Sequence, residues 1–370
     1  MTPDWTPAFE AVPRAAFLPD LMWPHDMETG RDVVVDRTRD PEAWQGHADS
    51  NNPIVTQWDD GAHEGTDPGT SFSSSSSMPS VVFSMLADLD VHDGQRVLEI
   101  GTGTGWNSAL LAHRLGASNV VTVEVDGDVA SAGREALERF GLPVEVVHGD
   151  GFHGFADRAP YDRVIATCGL RTIPYAWLEQ TTPGGVILAP WGTYYGPSEA
   201  TALLVVAGDG RSASGPFTRP VAFMRMRSQR RGWPRHGEYV PAGAMEAADR
   251  STTRIGEDGF SSIESFDVVG FAMGLRVPDV VHLADRKKDG RRPVWFYGLT
   301  DKSWAVVDFR DDRKEATVHQ SGPRRLWDEV EDAYHWWVDR DRPGFERFGL
   351  TVTADGQIPW LDDPSNTWLP

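Results

Sequence analysis

The chain has 370 residues, 40% of them hydrophobic and 15 of them tryptophan, and a formal net charge of −20. That length suggests two or three domains, and that apolar content supports a buried core and excludes global disorder. The acidic balance excludes a generic phosphate-backbone binder, so no nucleic-acid partner is expected. With no apolar run near the ~20 residues that span a bilayer, no membrane partner is expected either.

A single cysteine, Cys168, precludes an intrachain disulfide and reads as a small buried apolar residue. No basic segment followed by an apolar stretch opens the chain, and a cytoplasmic protein is expected. The one basic cluster, "RMRSQRRGWPR" over Arg225–Arg235, reads as a solvated surface or linker. Nothing in the sequence defines an oligomeric state.

In chain order, residues 1–29 hold a short helical pattern with Phe9, Val12, Phe17 and Leu18 as apolar points and Pro13 and Pro19 as breaks. Residues 30–70 are polar and predict a long loop or irregular insertion with a short strand over Asp32–Val35. The run "TSFSSSSSMPSVV" over Thr70–Val82 follows, readable as a tether or as part of a site. From Pro79, the apolar residues Val81, Val82, Met85, Leu86 and Leu89 recur at helical spacing.

Alternating units come next. Strands are predicted over Arg96–Ile100, Asn119–Glu124, Val144–His148, Asp162–Ala166 and Gly185–Pro190, with helices over Asn107–Leu115, Asp128–Phe140 and Pro174–Glu179. This alternation predicts an α/β fold with a doubly wound, mostly parallel sheet. Thr201–Ala207 reads as one more strand, antiparallel at the far side. Beyond about residue 220 the alternation stops, and Gln229–Glu257 reads as a linker or domain edge. The expected domains are residues 1–78 (helical segment and substrate-side insertion), 79–220 (cofactor-binding core), 221–259 (linker) and 260–370 (an added α+β unit). That last unit carries strands at Val294–Leu299, Ser303–Phe309, Glu315–His319 and Phe348–Ala354, and a helix at Arg325–Asp339 whose Trp336 and Trp337 read as core.

The chemistry gathers at "VLEIGTGTG", Val97–Gly105, an apolar strand emptying into three alternating glycines. Such a turn lets a ligand approach the backbone, and the helix behind it presents free N–H groups. Trp106 at the sixth position fits a nicotinamide fingerprint poorly. Glu124 ends the next strand, where an acid can accept both ribose hydroxyls, and Asp150 ends the third, within reach of an adenine amino group. Together these are marks of an S-adenosylmethionine site. His148 and His153 flank Asp150 without a fourth ligand, so no metal is expected.

"VPRAAFLPD" (Val12–Asp20), a Ser-x-Pro before a helix, "VLEIGTGTGWNSALLA", "GDGFHGFADRAPYDRVIATCG" and "IPYAWLEQTTPGGVILAPWG" together resemble the protein-L-isoaspartate O-methyltransferase family. The resemblance runs from Ala11 to about Ala207, with a gap over 30–70. It implies a Rossmann-like fold, S-adenosylmethionine as cofactor, and methyl transfer to a peptide carboxylate. The implied cofactor residues are Glu99, Gly101, Thr102, Gly103, Thr104, Gly105, Asn107, Glu124, Val125, Asp150, Gly151, Phe152 and Thr167. The family's Thr-Ile-Ser-x-Pro motif falls on Ser75–Pro79, which makes Ser77 its serine and Ser75 the substitute for its threonine, both implied to act on the acceptor carboxylate. A carboxylate is already ionised at neutral pH, so no general base is required.

The sequence departs from the family in the acidic stretch at 30–70 and in the roughly 150 residues beyond a minimal member. This layout looks like the divergent branch that acts in ribosomal (lanthipeptide-type) peptide biosynthesis. That resemblance implies a cyclised precursor peptide as partner, methylation of an ordinary Asp, and closure of the ester to a succinimide. A repair enzyme for L-isoaspartyl residues is the alternative, and a non-catalytic module that binds the cofactor or a peptide is a third reading.

Overall fold

The computed structural model describes residues 3–260 and 266–368. Its centre is a nine-stranded sheet. Five strands are parallel, in the spatial order Glu145–His148, Val120–Glu124, Val97–Ile100, Tyr161–Ala166 and Thr181–Gly192. Every residue of Val97–Ile100 and Val120–Glu124 is buried, as expected of strands covered on both faces. The winding reverses between Val97–Ile100 and Tyr161–Ala166, so the crevice at their carboxyl ends is the switch point where doubly wound sheets bind ligands.

The helix Pro79–Leu89 starts on a proline, which needs no backbone donor there, and turns Val82, Phe83, Met85, Leu86 and Leu89 inward. The helix Trp106–Leu115 buries Ala109, Leu110, Leu111 and Ala112 against the same cluster. Each predicted core strand and helix is present, and the strand Glu199–Val206 is antiparallel to Thr181–Gly192.

Two expectations are corrected, and one of the two open readings of the serine run is excluded. The stretch predicted as a loop folds as part of a small sheet: Leu21–Asp26, Arg31–Asp32, Val35–Asp36, Ile54–Trp58 and Phe72–Ser76, with the helix Pro41–Ala48 packed on it through Trp44. The predicted strand Asp32–Val35 is broken at Val33 and Val34, with Arg31–Asp32 and Val35–Asp36 paired to the two ends of Leu21–Asp26. The serine run is not a flexible tether, because Phe72–Ser76 is a strand hydrogen-bonded to Ile54–Trp58.

The segment read as a linker holds the strand Asp249–Thr253, which pairs with Ala316–Ser321 at the edge of a second, antiparallel sheet. That sheet continues through Trp304–Arg310, Arg291–Gly298 and Val280–Ala284, backed by the helix Leu326–Asp339. Strand Phe348–Thr353 then leaves it and pairs with Ser212–Val221, and Gly356–Leu361 follows as the edge of the central sheet. One apolar cluster runs from Leu98 and Trp191 through Phe271 to Trp327 and Phe348. Trp337 is buried in it, whereas Trp336 is half-buried with the guanidiniums of Arg276 and Arg340 at 4.6 and 4.5 Å from its ring.

Candidate active site

The glycine loop is shaped by contacts that leave no room for side chains. Gly101 and Gly103 have φ of +99° and +51°, and a Cβ on Gly101 would stand 2.6 Å from Thr167 Oγ1. Thr167 in turn donates to the Gly101 carbonyl at 2.7 Å, which ties the two strand ends of the switch point together. Gly133 on the neighbouring helix lets the loop pack, since a Cβ there would be 2.9 Å from Thr102 Cγ2.

Glu124 stands at the end of its strand with one oxygen accepting from Gly103 N at 3.0 Å and the other from Asp126 N at 3.2 Å. Each oxygen keeps a second lone pair for a ligand hydroxyl. Asp150 caps the turn after the third strand through Phe152 N at 2.9 Å and receives Ser228 Oγ at 3.3 Å. Trp177 Nε1 donates to the Gly151 carbonyl at 2.8 Å and fixes that turn from behind.

These groups open into one cleft of about 1060 Å³, measured out to its mouth. Of the residues expected at the cofactor, Gly101, Thr102, Gly103, Thr104, Asn107, Glu124, Val125, Asp150, Gly151 and Thr167 line it, and so do Ser75 and Ser77. Glu99, Gly105 and Phe152 stand behind the wall. Glu99 is fully buried and accepts from Asn107 Nδ2 at 2.7 Å and from Ser108 Oγ, so it aims Asn107 from below. Burial pushes the Glu99 carboxyl up to about 7, against the hydrogen bonds from Ser108, Asn107 and Thr122. Gly105, at φ +86°, precedes the helix, and a Cβ on it would stand 3.1 Å from the Gly133 carbonyl oxygen. Phe152 packs on the core with its ring edge-on to His153.

The serines divide by role. Ser73 Oγ donates to Gln57 Oε1 at 2.8 Å, Ser74 Oγ accepts from Thr56 Oγ1 at 3.2 Å, and Ser76 Oγ accepts from Arg14 Nε at 2.9 Å. The hydroxyls of Ser75 and Ser77 have no such partner among the described residues and line the cleft. Ser73, Ser74 and Ser76 therefore help to hold the strand in place.

Sequence reasoning missed several wall residues. Arg14, inside the quoted "VPRAAFLPD", is buried behind the wall and holds Ser76 in place. Trp106 is buried with its Nε1 on the Val12 carbonyl at 3.0 Å, so it pins that segment to the glycine loop. The basic cluster is not a solvated linker: Arg225, Arg227 and Arg230 line the cleft together with Phe223, Met224 and Met226. Cys168 also lines it, and burial, with Glu124, Glu199 and Asp150 nearby, pushes its thiol up to about 12. It is a neutral group there.

The donor set fits S-adenosylmethionine. A turn with positive-φ glycines, an acid with free lone pairs after the second strand and another after the third are what its amino-acid, ribose and adenine parts require.

Comparison with known proteins agrees with this geometry. The profile of the family "Protein-L-isoaspartate(D-aspartate) O-methyltransferase" matches residues 55–218. The protein-L-isoaspartate O-methyltransferase of Methanoculleus marisnigri is 39% identical over 167 residues, 45% of this chain and 71% of that protein. The enzyme of the same name from Thermococcus onnurineus is 40% identical over 121 residues, 32% of this chain and 54% of that protein. The chain thus spans about half the length of the first curated relatives it matches. A solved protein-L-isoaspartate O-methyltransferase superposes over 98% of this chain and 96% of its own, with a TM-score of 0.54 at 21% identity. That likeness is one of fold, a Rossmann-like methyltransferase architecture. The chain belongs to the protein-L-isoaspartate(D-aspartate) O-methyltransferase family.

Proposed function

We propose that this protein is an S-adenosylmethionine-dependent carboxyl O-methyltransferase acting on an isoaspartyl or aspartyl residue of a peptide. One observation carries the reading: a single cleft is lined both by Glu124, Gly103 and Asp150 and by Ser75 and Ser77, whose hydroxyls have no hydrogen-bond partner among the described residues. The names of the relatives support an isoaspartyl acceptor.

The chemistry supplied by S-adenosylmethionine is an activated methyl group on a sulfonium. The chain's own part is positional. Glu124 and Asp150 hold the nucleoside end, and the glycine loop with Asn107 holds the amino-acid end. Ser75 and Ser77 donate to the acceptor carboxylate, which orients it without neutralising it. The apolar side chains of Val82, Met85, Ile165 and Phe223 keep water from the same space. Cys168, protonated at neutral pH, does not compete as a nucleophile.

The finer reading is a constrained ribosomal peptide with ordinary Asp as acceptor, whose ester then closes to a succinimide. The folded N-terminal sheet at the cleft mouth, and the second sheet beyond it, support a partner larger than a flexible loop of damaged protein. The experiment is incubation with labelled S-adenosylmethionine and two peptides, one flexible with L-isoaspartate and one cyclic with Asp, followed by methanol release. Label on the flexible peptide supports repair; label on the cyclic Asp peptide alone supports biosynthesis. Label on neither, with the cofactor bound, defeats the methyl-transfer reading.

A further inference from the structure

Beside the cleft lies a second depression of about 500 Å³, walled by Tyr194, Arg231, Trp233, Val281 and Leu299. Arg225 lines both spaces, so the groove adjoins the cleft at that residue. Arg225 is held rigidly. Its neighbours bracket the loop after strand Tyr161–Ala166, with Gly169 N donating to the Met224 carbonyl at 2.8 Å and Met226 N to the Gly169 carbonyl at 2.9 Å.

The groove is rich in positive charge within an acidic protein. The guanidiniums of Arg171, Arg225 and Arg231 lie 6.0, 5.7 and 5.7 Å from the Tyr194 ring. Glu199 pairs directly with Arg171, through Nη1 at 2.6 Å, and lies near enough to Arg225 to favour its charge without touching it. Arg227 and Arg230, from the same segment, are in ion pairs with Asp60. Arg225 is in no ion pair among the described residues, and its buried Nε meets no acceptor. Burial, with Arg171 close by, holds its pKa down to about 10, so it remains charged at neutral pH. Trp233 is 71% exposed at the groove, an uncovered aromatic surface next to that charge.

A part-buried guanidinium with unused donors is a natural partner for a carboxylate, and an exposed tryptophan at a groove wall offers a surface for peptide to pack on. We propose that this groove seats the peptide flanking the methylated residue, and that Arg225 pairs there with an acidic side chain of that peptide. The assignment rests on the peptide methyl-transfer reading above. It makes the protein selective for acidic sequence around its target.

The test uses two isoaspartyl decapeptides that differ only in carrying Glu or Gln at the two positions on each side of the isoaspartyl residue. Binding is read by fluorescence anisotropy with S-adenosylhomocysteine present, and methyl transfer is read separately. The intact protein is expected to bind the Glu peptide about tenfold more tightly, the scale of one charge-assisted pair. Arg225→Gln is expected to bind the two alike, and Arg225→Lys to restore part of the preference. Equal binding of both peptides by the intact protein overturns the proposal, and needs no variant to fold. A preference that survives in Arg225→Gln overturns it as well. The two readings fail differently. Acid-selective binding without methyl transfer to either peptide or to the cyclic Asp peptide defeats the activity and leaves the groove, whereas transfer to both without selectivity defeats the groove and leaves the activity.

Discussion

Arg14 holds Ser76 by both ends, donating from Nε to its hydroxyl at 2.9 Å and from Nη2 to its carbonyl at 2.7 Å. Its Nη1 adds the Asn52 carbonyl at 3.0 Å, so one guanidinium fixes three segments of chain. Burial lowers its pKa to about 9, which still leaves it charged at neutral pH. Arg14→Ala strands those acceptors and is expected to lower stability by about 3–5 kcal/mol. Arg14→Lys keeps the charge but not the fork, and is expected to recover less than half of that. Urea unfolding of the three proteins reads both values, and a loss within about 0.5 kcal/mol for Arg14→Ala shows that the contact does not hold the strand.

Because the neighbouring serines are occupied, Ser75 and Ser77 are free to meet the acceptor carboxylate. Ser77→Ala is expected to lower kcat about a hundredfold, the usual cost of one positioned donor, with cofactor affinity changed less than about twofold. Glu124→Gln and Asp150→Ala are expected to do the reverse and weaken cofactor binding about tenfold or more. Calorimetry with S-adenosylhomocysteine, set beside initial rates, separates the two patterns. Full activity in Ser77→Ala returns Ser77 to a backbone role.

What the sequence made legible was local. The glycine loop, the acids at the ends of the second and third strands, and the central alternation all rest on residues a few places apart. The N-terminal sheet was not legible because two of its strands are only two residues long, one carries Pro24, and one is nearly all serine. None of these shows a period-2 apolar pattern, and the register is set instead by Arg14 from outside the sheet. The basic segment misled for a related reason. Arg227 and Arg230 find Asp60 across about 170 positions of sequence, a distance at which composition says nothing about pairing.

Glu99 supplies a pH signature. Its carboxyl titrates near 7 in the folded chain against 4.5 when free. Between those values the folded state holds a proton that the unfolded state has lost, so stability falls as pH rises from about 4.5 to about 7 and is level beyond. The span corresponds to about 3 kcal/mol at most. Glu99→Gln removes the titration and keeps an acceptor for Asn107. Its stability relative to the parent is therefore expected to improve between pH 5 and pH 7.5. Parallel urea curves at the two pH values decide the matter, and an unchanged difference means that Glu99 is ionised throughout.

The strands Phe348–Thr353 and Gly356–Leu361 complete the central sheet, pairing Thr353 with Ser212 and burying Phe348 and Leu350 beside Phe217. Removing residues 341–370 opens that cluster and exposes the edge of Ser212–Val221. The shortened chain is expected to be aggregated or to lack a cooperative thermal transition. A soluble truncation that still binds S-adenosylhomocysteine shows instead that the sheet closes without this hairpin. Substitutions within the groove, rather than deletions, are thus the way to examine recognition by the C-terminal residues.

Arg227 spans the cleft mouth. Its Nη2 meets Asp126 Oδ2 at 2.9 Å and Gln57 Oε1 at 3.2 Å, and its Nε meets Asp60 Oδ1 at 3.1 Å. Asp126 is also the cap of helix Gly127–Arg139 and lies two residues past Glu124. The Asp126 carboxyl stays below its usual range, burial being outweighed by the Val129 N–H, Gln57 and Arg227. Arg230 adds both oxygens of Asp60 at 2.8 Å. The N-terminal sheet, the basic segment and the second parallel strand are thereby strapped together beside the nucleoside end of the cleft. Each exposed pair alone is worth under about 1 kcal/mol, but the pairs share atoms and must open together for a bound nucleoside to leave. Arg227→Ala is expected to raise the dissociation rate of S-adenosylhomocysteine about five- to tenfold, as is Asp60→Asn to a smaller degree, with equilibrium shifts of about 1 kcal/mol. Half-molar salt is expected to speed release from the parent and to act less on Arg227→Ala, in which only the Arg230–Asp60 pair of the strap is left to screen. Stopped-flow tryptophan fluorescence gives these rates directly. A parent protein whose release rate ignores both salt and the Arg227 substitution has a cleft that empties by another route, and the strap is then only a structural tie.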